Sequence, residues 1–136
     1  MFISLVFATL QGYAGTWDYD TIDNWQVYNG TTLVFAGHDS PLGTVFRGTV
    51  KKEDLEDITI QFHHCARFIE DFEVTIDFTD RLGNCILTKK FRINSATPLK
   101  IARSEFGALT TDLIAIRYRE DRSFGADRAL GELRLQ

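Results

Sequence analysis

His63, His64 and Cys65 stand side by side, a combination that invites a metal site or an activated thiol. Zinc takes imidazole and thiolate ligands from converging directions. On a strand, however, adjacent side chains point to opposite faces. His63 and His64 then diverge, and His63 and Cys65 share a face without an obvious third ligand. A Cys–His nucleophile pair meets the same obstacle, because a base two residues along a strand is badly aimed. A structural role is the preferred reading. Cys85 is the only other cysteine. Two cysteines are too few for a disulfide scaffold. They form one bridge if the chain is exported and two thiols if it is not.

Asp18, Asp20 and Asp23, with Asn24 beside them, supply oxygens of the kind calcium takes from a pliable loop. The same residue types are ordinary turn formers. No glycine-rich phosphate loop, nucleophile elbow or zinc helix motif occurs. The expectation is therefore a protein without catalytic residues and without an obligate cofactor. Trp17, Tyr19, Trp25 and Phe124 fall in or near expected loops and turns. Such aromatics form platforms for sugars or peptides, and they are the expected ligand-binding residues. The competing reading is that they complete the core. Asn29-Gly30-Thr31 also fits a glycosylation sequon, although a turn accounts for the same residues.

The elements that position these residues read as strands. Among 136 residues are eleven Phe, four Tyr and two Trp, and only two Pro. That balance, with many Val, Ile and Thr, favours sheet. Asn29-Gly30 suits a two-residue turn, which would set Trp25 opposite Val34 and Val27 opposite Thr32. Ile58 to Cys65 alternates, with Ile58, Ile60 and Phe62 on one face. Phe72, Val74, Ile76 and Phe78 alternate against Glu73, Thr75, Asp77 and Thr79. A four-residue loop at Asp80–Gly83 would pair Thr79 with Asn84, Phe78 with Cys85, Ile76 with Leu87 and Phe72 with Phe91. Glu73 then meets Lys90, and Asp71 meets Arg92, on the wet face. Strands are also expected at Thr44–Val50, Leu99–Ala102, Asp112–Tyr118 and Leu130–Leu135. Lys51–Asp57 reads as a helical turn or a loop anchored by Leu55, and Arg119–Asp127 as a polar loop. The whole predicts one all-β domain over residues 1–136, a two-sheet antiparallel β-sandwich of about eight or nine strands.

Net charge is −4, and the first basic residue is Arg47. Nucleic-acid binding needs a basic face, so that class is excluded. Residues 1–14 are apolar and then small, as in a secretory signal, but no Lys or Arg precedes the apolar run. A first strand at Phe2–Leu10, and with it a cytoplasmic location, is preferred. The run is too short to span a membrane, which takes about 18 apolar residues.

The stretch from Leu113 to Leu135, with Asp121, Asp127 and the Leu130-Gly131 step, resembles the end of one known family. This is the calcium- and phospholipid-binding β-sandwich named after conserved region two of protein kinase C. Ile58–Phe68 and Asp71–Val74 resemble that family's first two strands. The resemblance implies a sandwich, a metal site at Asp71, Asp121 and Asp127, calcium as the ion, and a lipid surface as partner. Arg119 stands where the family has another acidic ligand. The functional expectation is a non-catalytic binding or protein-interaction module that presents loops to a protein or carbohydrate. The alternatives are an assembly protein that oligomerises through strand edges and aromatics, and a hydrolase using paired carboxylates.

Overall fold

The computed structural model describes residues 24–39, 43–63, 72–93, 98–122 and 125–136. The expected first strand or signal, Trp17, Tyr19, the aspartates before Asn24, His64, Cys65, Asp71 and Phe124 lie outside them. Among the described residues nine strands follow in chain order: β1 (Asn24–Asn29), β2 (Thr32–His38), β3 (Arg47–Val50), β4 (Ile58–His63), β5 (Phe72–Thr79), β6 (Cys85–Ile93), β7 (Leu99–Ile101), β8 (Leu113–Asp121) and β9 (Asp127–Leu135). They form a four-stranded sheet, β2-β1-β4-β7, and a five-stranded sheet, β3-β9-β8-β5-β6. The fold is the expected β-sandwich. Among the described residues all pairings are antiparallel except β3 with β9. Strands β2 and β3 lie in different sheets, so they do not form a hairpin that would fix the direction of β3.

Alternation builds the core. Val27 of β1, Ile58, Ile60 and Phe62 of β4 and Ile101 of β7 face Val74, Ile76 and Phe78 of β5 and Ile114, Ile116 and Tyr118 of β8. Phe62 and Tyr118 meet across the gap with ring centroids 4.9 Å apart. The segment after β3 is both a short 3-10 turn, Lys52–Asp54, and a loop whose Leu55 is buried. A second 3-10 turn, Arg103–Phe106, plugs the core with Phe106 against Phe78.

Both expected hairpin registers are corrected. The first turn consists of Gly30 and Thr31, so Asn29 pairs with Thr32. A bulge then makes Val34 an extra residue, and Val27 faces Phe35 while Trp25 faces Gly37. The cause is the Asn29 side chain, which donates to the Asp54 carbonyl and accepts from the Glu56 amide. Those bonds keep Asn29 in the strand and leave the left-handed position to Gly30, at φ 58°. In the second hairpin the loop runs from Asp80 to Asn84, because Asp80 Oδ1 accepts from the amides of both Leu82 and Asn84. Thr79 pairs with Cys85, Ile86 is bulged out, and Phe78 pairs with Leu87. The two single slips add to two residues, so parity survives and the apolar row of β5 stays inward. Ile76 now faces Lys89, whose ammonium reaches Glu105 from the sheet edge. Glu73 faces Arg92, and its ion pair with Lys90, at 3.6 Å, is a diagonal one.

Strands β8 and β9 are longer than expected and shorten the polar connection between them to 122–126. A bulge in β9 leaves both Leu130 and Gly131 buried. A Cβ on Gly131 would stand 2.5 Å from the Phe46 carbonyl and 2.6 Å from the Phe35 ring. Glycine there lets the chain before β3 press against β9, where Glu132 donates to the Phe46 carbonyl. Residues 43–46 are thereby lifted out of the ladder, and β3 starts later than expected.

Candidate functional site

The outer face of the five-stranded sheet carries a trough of about 560 Å³. It crosses the strands. Cys85 and Thr88 of β6 close one end, and Asp77 and Thr79 of β5 come next. Ala115 and Arg117 of β8 and Ala129 and Gly131 of β9 form the floor, and Thr44 and Val45 rise as the far wall. Floor residues with small side chains, between taller rims, make an otherwise flat sheet face concave. The wall exists because of the close approach at Gly131.

The charged groups at this site are already matched. Asp77 Oδ2 accepts from Arg119 at 2.7 Å, and Asp77 Oδ1 accepts from the Thr88 hydroxyl at 2.8 Å. Arg117 donates to Asp127 at 2.8 Å, and that hydrogen bond with its ionic attraction raises the Arg117 pKa. Glu132 accepts from Arg47 at 3.0 Å. The Cys85 thiol lies 3.3 Å from the Thr88 hydroxyl. Since the Thr88 hydrogen goes to Asp77, the thiol donates to Thr88. Cys85, Thr88, Asp77 and Arg119 thus form one hydrogen-bonded row. A thiol nucleophile needs a base within reach. Threonine is not one, and both oxygens of Asp77 are engaged.

Of the sequence-expected site residues, Trp25, Asp121 and Asp127 are described, and Trp25 stands apart from the two aspartates. Trp25 is a correction: it is 2% exposed, donates its indole N–H to the Leu130 carbonyl at 2.9 Å, and stands edge-on to Phe46. Gly37 opposite it leaves room, and a Cβ there would fall on the indole. It is therefore a core residue. Asp121 and Asp127 lie on strands, not on a loop. Asp127 is held by Arg117, Arg119 stands opposite it in the ladder, and Asp121 pairs with Glu73. Among the described residues no three His, Cys, Asp or Glu side chains are placed to hold a metal. His63 is exposed on the outer face of the four-stranded sheet, opposite Asn24.

One polar cluster is built around a buried carboxylate, Glu120. Glu120 points inward and accepts from Arg122 at 2.7 Å, while Arg122 stacks on Phe72 at 4.1 Å. Burial, and then the negative charge of Glu120, push the Tyr118 hydroxyl far above the usual tyrosine range. Arg128, opposite Tyr118 in the ladder, bonds Asp39 at 2.7 Å. The cluster ties the two sheets together at this end of the sandwich.

Neither the protein-family models nor the curated proteins include a match to this chain. Among the described residues, no helix is long and apolar enough to cross a membrane.

Proposed function

We propose that this protein is a non-catalytic binding module whose ligand lies across the strands of the five-stranded sheet. The observation that carries this reading is the trough itself. Its volume falls within the range of about 300–1,000 Å³ usual for ligand sites, and its small-residue floor is flanked by a few placed polar groups. This moves the expected site from the loops to a sheet face. The non-catalytic reading is supported by the engaged state of Asp77 and Thr88 beside the thiol.

Cys85 is an exposed free cysteine in the wall of the trough and serves as a reporter. In a Cys65→Ser variant it is the sole thiol. Its alkylation by iodoacetamide is followed with and without cellohexaose, dodecyl maltoside and a random octapeptide pool. A probe that occupies the trough slows alkylation at least tenfold at saturation, and Ala129→Trp removes the protection. Protection that survives Ala129→Trp contradicts the reading, as does a failure of every probe to protect Cys85.

A further inference from the structure

Building on the trough as the binding site, we infer that its ligand is an extended, uncharged peptide segment of a partner protein, with aliphatic side chains at alternate positions. Three features of the trough lead there.

The first is charge. Asp77, Arg117 and Glu132 are the charged residues of the lining, and each is bonded to an opposite charge, in Arg119, Asp127 and Arg47. A charged ligand would have to compete with a partner already in place at each of these groups. A neutral ligand leaves all three intact.

The second is surface chemistry. None of the lining residues is aromatic, so a sugar ring finds no face to stack on. The floor presents methyl groups and a glycine, and the rims present hydroxyls. Those groups suit aliphatic side chains below and backbone amides alongside.

The third is shape. The trough is open along its length. An acyl chain in it would keep its outward side in water, at a cost proportional to that area. An extended peptide has two faces of period two, one to bury and one to leave wet. Crossing four strands spans about 14 Å, which matches four or five extended residues.

The test pans a displayed random octapeptide library on the full chain, with Ala129→Trp for counter-selection. Enriched sequences are expected to be uncharged, with aliphatic residues at alternate positions. Placing Lys or Asp at one of those positions should weaken binding at least tenfold. Raising salt from about 50 to 500 mM should change affinity less than twofold, since no charge is neutralised on binding. A melting curve is to check that Ala129→Trp is folded, and Ala115→Leu is a second, smaller filling of the same floor. Enrichment of acidic or basic peptides overturns the inference, and so does equal binding by both filled variants or an absence of enrichment. If cellohexaose or dodecyl maltoside protects Cys85 while no peptide is enriched, the peptide is wrong and the trough stands. If no probe protects Cys85, the trough itself is not a binding site.

Discussion

Gly131 links the core to the proposed site. Its φ of 151° and its contact with the Phe46 carbonyl leave no room for a side chain. Gly131→Ala should destabilise the protein by about 1–3 kcal/mol in urea titrations, the usual cost of overpacking. The same variant should also disturb the wall at Thr44 and Val45. Trp25 gives a second residue-scale prediction. Trp25→Phe removes the donor to Leu130 and strands a buried carbonyl, at a cost of about 1–3 kcal/mol beyond lost packing. The aspartates of the calcium reading answer to the same bookkeeping of partners. A cation would have to displace Arg117 from Asp127, so adding calcium should leave the melting temperature unchanged; a rise of several degrees would reinstate a metal site.

Among the elements, the β5–β6 hairpin shows how a side chain resets a register. Asp80 is held below the usual carboxylate range by the amide of Asn84, helped by the Asn84 side chain and the amides of Leu82 and Gly83. Its folded pKa is depressed, so its contribution to stability is full above the unfolded value of about 3.9. That contribution is lost as pH falls through the lower folded value. Asp112, beside Arg81, and Glu105, beside Lys89, shift the same way. Asp80→Asn should therefore flatten the loss of stability between about pH 4 and pH 2 while leaving the curve near neutrality parallel. An unchanged acid limb would show that the loop bonds contribute nothing. The outer strand β6 carries Lys89, Lys90 and Arg92 and no acid. A second copy paired antiparallel along it would set like charges opposite one another. Light scattering should show no association through that edge, and Lys90→Glu, which removes one of the like charges, should weaken this protection.

At the scale of the whole molecule, the sandwich was legible because one property repeats. Phe72–Thr79 and Ile58–His63 alternate so cleanly that their inward faces follow from parity alone. Register was less legible. It turned on side-chain bonds of Asn29 and Asp80 and on bulges at Val34 and Ile86, none of which a periodic pattern reveals. The trough was not legible at all. Its parts come from β5, β6, β8, β9 and the segment before β3, and a single sequence does not say which strands are neighbours. Asp77 and Thr79 were readable as wet-face residues, but Asp77 meets Thr88 only after the two slips are counted. Proximity to a turn does not make Trp25 exposed. The depth of a strand position depends on the opposite residue, here Gly37.

The central claim is that the outer face of the five-stranded sheet is where this protein binds. Amide chemical-shift mapping of the full chain, titrated with whichever probe protects Cys85, tests it most directly. The shifted amides are expected to cluster at Cys85, Thr88, Thr79, Ala115, Ala129 and Glu132, and the shifts to vanish in Ala129→Trp. Shifts that instead gather on the four-stranded sheet around Gln26 and Gln61, with the trough amides unmoved, would contradict it.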